Sequence, residues 1–312
     1  MTTSLGRLIA IAVAALMLGG CGSSNPLGGS AASGDLKSVI VGSADFPESK
    51  IVAEIYAGAL QANGFTVIRQ FGIGSRETYI PALRDRSIDL IPEYTGNLLA
   101  YFDPKSSVTR PEQVELALLR ALPGDLSILT PAPANDTDTV TVTEATATKW
   151  KLRSIADLAP YSAEVKFGAP SEFTSRAQGL PGLKAKYGLD ITPNNFVAIS
   201  DGGGPATVRA LLTGAVTAAN IFSTSPAIPQ NKLVVLDDPR NNFLANNVVP
   251  LISSQKKSDD LKRVLDAVSA KLTTEDLVEM NTAASGNSGI DPEEAARNWL
   301  RDRGFDKEIA AG

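Results

Sequence analysis

Strand-like and helix-like runs alternate along most of the 312 residues, which predicts an α/β fold with mostly parallel sheets under covering helices. The length suffices for two cores. The strands fall into an early group, a middle group and a late return. Together these observations predict two lobes joined by two crossings, with a hinge and an interlobe cleft.

The early group begins with "SVIVGSADF" (38–46), a β-branched run that ends in a polar loop. "ESKIVAEIYAGALQANG" follows with helical spacing at Ile51, Ile55, Ala59 and Leu60, and Gly64 stands where a C-terminal cap belongs. "FTVIRQF" is the next strand, "SRETYIPALRDRS" the next helix and "IDLIPEY" the third strand. The middle group holds "DTVTVT", "VKFGAP", "NNFVAI" and "TAANIFST". "KLVVLDD" and "NNVVPLI" are the late strands, before three closing helices. Lobe 1 is therefore expected over 38–136 plus 225–312, and lobe 2 over 137–224. Open α/β sheets bind ligands beyond the carboxyl ends of their strands. The loops 42–46, 92–96, 169–176, 200–205 and 222–226 are placed there.

Residues 1–20 read as a signal peptide. A single cation, Arg7, precedes an apolar stretch from Leu8 to Leu18 that is short for a membrane span. Leu18-Gly19-Gly20-Cys21 looks like a bacterial lipobox, with Cys21 as the acylated residue. Several acyl chains anchor stably, at about 0.8 kcal/mol per buried CH₂. Residues 21–37, rich in Gly, Ser and Ala, read as a flexible tether. This places the body on the extracytoplasmic face of the cell membrane, lipid-anchored.

Composition narrows the chemistry. The 29 basic and 34 acidic side chains include no long basic run, so no nucleic-acid partner is expected. There are no histidines, which removes His-based triads and most zinc sites. No carboxylate pair for hydrolysis, metal cluster or nucleophile elbow is visible, so no catalysis, cofactor or metal is expected. "DGGGP" (201–205) lacks the lysine of a P-loop and reads as a tight turn with Pro at the first helical turn. In "EFTSR", a helix would pair Glu172 with Arg176 at i and i+4. The same Arg176 fork suits a ligand carboxylate, and both readings stand. A helix beginning at Tyr94 would put Tyr94 and Tyr101 on one face, with Tyr101 in a packing role.

The stretches "VGSADFPESKIVAEIYAGAL", "ALRDRSIDLIPEYTGNLL", "FGAPSEFTSRAQGLPGLKAKYGL", "GAVTAANIFSTSPAI" and "NNFLANNVVPLI" carry a resemblance. From about Ser38 to Arg303 the chain resembles the substrate-binding lipoproteins of bacterial ABC importers for quaternary-amine osmoprotectants. The resemblance implies a type II periplasmic-binding-protein fold that closes on a small solute such as glycine betaine, choline or carnitine. It implies delivery to an ABC permease and its ATPase, with the receptor acting as a monomer. It also implies an aromatic cage holding the ligand cation, at about 0.5–2 kcal/mol per contact.

The resemblance matches Tyr94 and Thr95 to the family's "EYTG", and Phe173 and Arg176 to its "EF–R" segment. In the first loop Ala44, followed by Asp45, replaces a lysine. Asp138 and Val208 (or Arg209) fall where cage tyrosines are expected, and Phe222 keeps a ring without its phenol. Two missing rings would cost roughly 1–4 kcal/mol, tenfold to several hundredfold in affinity. Asp138 can replace a ring by direct charge attraction, at a cost in desolvation. The alternatives are a changed ligand, aromatic or less cationic, on the same receptor fold, or a sensory or adhesion lipoprotein.

Overall fold

The computed structural model describes residues 36–286 and 289–309. The leader, Cys21 and nearly all of the tether lie outside the described residues. Among the described residues, ten strands form two five-stranded sheets, each the floor of one lobe.

The first sheet takes β1 (Ser38–Gly42), β2 (Thr66–Gln70), β3 (Leu90–Tyr94), β4 (Leu126–Ile128) and β10 (Val248–Ser253), in the order β2-β1-β3-β10-β4. β1 runs parallel to β2 and β3, while β10 inserts antiparallel between β3 and β4. Pro92 and Pro250 stand opposite each other in the β3–β10 ladder, so two missing donors fall at one level of the sheet. The second sheet takes β5 (Asp138–Thr143), β6 (Phe167–Ala169), β7 (Phe196–Ala198), β8 (Ala218–Phe222) and β9 (Leu233–Val235), in the order β7-β6-β8-β5-β9.

β9 corrects the expected lobe boundary. "KLVVLDD" pairs antiparallel with β5 at Thr141 to Thr143, so the chain past residue 225 stays in the second lobe and returns only after β9. Val235 is exposed and Val234 half-buried, as suits an edge strand. β5 has a free edge there, and a short run fills it.

Helix α1 (Pro47–Ala62) opens with Pro47 in its first turn and Glu48 beside it, both favoured at a helix start. It buries more than one stripe: Ile51, Val52, Ile55, Tyr56 and Leu60 are all inaccessible. One side meets the first sheet, and others meet the helices Asp259–Ser269 and Pro292–Arg303. Gly64 ends the segment at φ +79°, as the sequence predicts. A second apolar cluster, with Leu83, Ile91, Leu98 and Leu118, holds α2 (Arg76–Arg84) and α3 (Thr95–Phe102) on the first lobe. The second lobe has its own clusters around Phe167 and Leu183 and around Leu211 and Ile221. Separate cores on either side of the crossings leave the cleft between them to polar and aromatic groups.

Candidate functional site

The cleft is built from loops that leave the carboxyl ends of strands. β1 ends in a turn that delivers Phe46, the extended residue capping α1, at φ −99° and ψ 155°. β3 ends at Tyr94, and β8 ends at Phe222 from the other lobe. The rings meet: Phe46 lies 5.2 Å from Phe222 at 36°, and 6.1 Å from Tyr94 at 33°. These tilted pairs are within the range of favourable aromatic geometry.

Two carboxylates sit beside the rings. Glu48 is buried, and it accepts from the Tyr94 hydroxyl at 2.7 Å, the Thr224 hydroxyl at 2.5 Å and the Asn281 amide at 2.6 Å. Those donors offset the cost of burying it. Asp136 is only 1% exposed. Its Oδ1 accepts from the Ser223 hydroxyl at 3.1 Å and the Thr224 N–H at 3.0 Å, while its Oδ2 has no partner among the described residues. Burial, and then the charge of Glu48, push the Asp136 carboxyl well above the usual range. Burial, and then Glu48, likewise push up the Tyr94 phenol, which stays a hydrogen-bond donor. No carboxylate pair is visible in the sequence. The fold makes one, from a helix start and a lobe crossing, with Thr224 bonded to both acids.

A cavity of about 550 Å³ opens against this group. Phe46, Glu48 and Asn281 line it from the first lobe, and Gly203, Val208 and Phe222 from the second. Exposed Arg209 also reaches it. Gly203 has φ +81°, and a Cβ there would stand 2.9 Å from the Ile221 Cα, so only glycine lets this turn lie against β8. The following helix, Pro205–Leu212, has its first N–H groups occupied by Asp201, at 2.6 Å from Ala206 and 3.2 Å from Thr207. "DGGGP" is thus an internally capped turn, and its glycines serve close packing.

A second cavity, about 250 Å³, takes the other predicted residues. Arg176 lines it, but its fork is engaged across the cleft by Glu77, at 3.1 Å and 2.9 Å. The expected Glu172–Arg176 helix pair does not form, because Ser171–Thr174 is a single 3₁₀ turn. Partial burial would raise the Glu77 carboxyl; the hydrogen bonds and charge of Arg176 overcome this and hold it down to about 2. Asp138 accepts from Asn97 at 2.8 Å and Asn220 at 3.0 Å. Phe173 stacks on Phe167 at 5.6 Å and lines this cavity. Tyr101 also lines it, exposed and set edge-on to Phe102.

The predicted residues therefore divide. Phe222 and Val208 face the larger cavity; Asp138, Phe173 and Arg176 face the smaller. Tyr94 ends a strand and does not begin a helix, so it shares no helix face with Tyr101. It stands behind Phe46 and reaches the site through Glu48. Thr95 is spent on the hinge: its hydroxyl accepts the Asn247 N–H at 3.1 Å and donates to the Ala245 carbonyl at 3.3 Å. Ala44 is packed in the first lobe's core, and Asp45 is exposed; neither lines either cavity. Sequence reasoning missed Phe46, Glu48, Asp136, Thr224 and Asn281. Two of them had a signal: Phe46 closes the first cleft loop and Thr224 lies in the last, 222–226.

Two lobes that meet over a cavity walled by rings and buried acids have the type II periplasmic-binding-protein fold, which solved structures share. Residues 37–302 match the family model for the substrate-binding domain of ABC-type glycine betaine transport systems, and the chain belongs to that family. It is 28% identical over 280 residues to the glycine betaine-binding protein YehZ of Escherichia coli, covering 86% of this chain and 92% of that one. It is 24% identical over 251 residues to the ergothioneine transport permease/ergothioneine binding protein EgtU of Helicobacter pylori. That match covers 78% of this chain and 44% of the relative. The crystal structure of a glycine betaine/carnitine/choline ABC transporter shares the fold, with a TM-score of 0.65 at 20% identity, over 86% of this chain and all of the other. The chain is thus the substrate-binding component of an ABC transport system, and such components work outside the cytoplasm. Among the described residues no helix is long and apolar enough to cross a membrane.

Proposed function

We propose that this chain is the lipid-anchored, monomeric receptor of an ABC importer, with Cys21 as its anchor, and that the larger cavity takes a quaternary-amine osmoprotectant such as glycine betaine or choline. One observation carries the reading: the Phe46 and Phe222 rings stand 5.2 Å apart, one from each lobe, beside buried Glu48. Two π faces and a carboxylate favour a soft cation, at about 0.5–2 kcal/mol for each ring. Because the rings come from opposite lobes, a ligand resting against both favours the closed form. Arg209, on the same cavity, supplies a positive charge for a ligand carboxylate. The closed receptor then presents its solute to a permease driven by an ATPase, with no bond made or broken.

Calorimetric titration with glycine betaine and choline tests this. Phe46→Ala and Phe222→Ala are each expected to weaken both ligands about twofold to thirtyfold. Arg209→Gln is expected to weaken glycine betaine and spare choline, which has no carboxylate. No binding of either solute at millimolar concentration would sink the ligand assignment. Saturable binding of ergothioneine alone would favour the second reading, a larger aromatic ligand. The size of the cavity and the similarity to an ergothioneine-binding protein support that reading.

A further inference from the structure

We propose that the larger cavity takes a quaternary amine carrying a nonpolar arm several carbons long, with the head against Phe46 and Phe222 and the arm along the helix Pro205–Leu212. The inference rests on this cavity being the solute site.

A solute as small as choline, with about seven non-hydrogen atoms, needs roughly 210 Å³ even if each atom takes the ~30 Å³ of a liquid water. The cavity holds about 550 Å³, so more than half of it is left. One helix walls much of the remainder. Pro205, Val208 and Leu212 stand at i, i+3 and i+7, the spacing of a single helical face, and all three line the cavity. Leu211 points elsewhere: it is 2% exposed and packs with Ile221 in the second lobe's core. Leu212 lies outside that cluster and is 49% exposed. A lone exposed leucine is ordinary. One in line with Val208 on a cavity wall prolongs an apolar surface that the core does not use. Pro226 and Ala227 add to the same wall.

The fold also gives this wall a direction. The turn before the helix lies on the ring pair, since a Cβ on Gly202 would stand 3.0 Å from the Phe46 Cβ. Pro205 is therefore at the ring end, and Leu212 is about 10 Å further along the axis, at a rise of 1.5 Å per residue. Charge orients the solute the same way. Glu48 attracts a cation to the ring end, while exposed Arg209, one turn before Leu212, repels it from the other. An arm leaving the head then passes Val208 and ends beside Leu212. Each methylene that it buries there is expected to tighten binding about twofold to fourfold.

The test is a calorimetric series on the full chain with choline, butyltrimethylammonium and hexyltrimethylammonium, which keep one head and lengthen the arm. The hexyl ion is expected to bind at least tenfold more tightly than choline, with the butyl ion between them. Choline is expected to displace the hexyl ion one for one, which an arm held on some other apolar surface would not show. Leu212→Asp, at an exposed position that folding tolerates, puts a charge beside the arm's end and is expected to cut the hexyl-to-choline ratio at least threefold. Ala227→Asp, on the facing part of the wall, is expected to lower the same ratio. Choline binding as tightly as the hexyl ion would overturn the proposal and leave the solute site standing. A ratio unchanged in both variants would also overturn it. Binding of none of the three ions would remove the site assignment and the proposal together.

Discussion

Glu93 shows how a single acid in the segment "IPEYTG" can matter without touching a ligand. It is fully buried and holds the Arg76 fork at 2.6 Å and 2.8 Å, the Tyr79 hydroxyl at 2.6 Å and the Tyr94 N–H at 2.8 Å. Burial works against the charge on Arg76, and Glu93 overcomes it. Removing one member of a buried pair strands the other. Glu93→Ala is expected to cost about 3–5 kcal/mol in urea unfolding; a loss under about 1 kcal/mol would show that Arg76 finds another partner. Asp136 behaves in the opposite sense. Its carboxyl is raised on folding, by burial and then by Glu48, with Asp138 adding to it. The folded state therefore keeps a proton that the unfolded chain loses near pH 4, so this stabilising contribution is full at lower pH and declines as pH rises. The ligand-free Tm is expected to fall from pH 5 to 8 more in the native protein than in Asp136→Asn. Parallel profiles would refute this. None of these acids could be assigned a role from the sequence, because each acquires its role from residues brought in by other segments. Phe46 and Phe222 were both visible as loop aromatics, but their contact exists only across the closed cleft.

At the scale of elements, the join between β3 and α3 is where the fold and the hinge meet. Thr95 bonds the returning crossing at Ala245 and Asn247, and Asn246 caps the next N–H, that of Asn97, at 2.9 Å. A Cβ on Gly96 would lie 2.6 Å from the Ala245 carbonyl oxygen and 2.8 Å from the Leu244 Cβ. Backbone cannot yield as a side-chain tip does, so Gly96→Ala is expected to destabilise by about 1–3 kcal/mol and to disturb the hinge. Thermal unfolding with a Tm unchanged to within a degree would show that the crossing moves freely. This join, α1 and the order of the first three strands were legible, because Pro47, the apolar spacing and Gly64 act locally. The lobe of β9 was not legible: a three-residue strand chooses its partner by which sheet edge is free. Nor was the fate of "EFTSR", too short to show helical spacing and ended as one 3₁₀ turn.

For the whole molecule, the question is what holds two independently cored lobes together. Thr224 meets Glu48, Asn97 meets Asp138, the Gln178 side chain meets the Gly96 carbonyl, and Arg176 grips Glu77, each across the cleft. The last is the one charged pair in this set, and it is partly solvated, with side-chain exposures of 32% and 40%. Exposed pairs are worth about 0.2–1 kcal/mol, so Glu77→Gln is expected to raise the open-to-closed ratio about 1.4-fold to fivefold. The apparent affinity for ligand is expected to fall by the same factor at most, since only the closed population is affected. The sign with pH follows from Glu77 being depressed to about 2. Its contribution is full above the ordinary carboxylate pKa and is lost only as pH falls through the folded value. Between pH 5 and 8 the pair is therefore constant, and opening over that range has to come from elsewhere, with Asp136 the raised group in the cleft. Small-angle scattering of the ligand-free protein separates the two. Glu77→Gln is expected to expand the native particle by the same amount at pH 5 and pH 8, and salt is expected to mimic it in the native protein. An expansion that appears at one pH only would mean that the pair does not act as an independent latch.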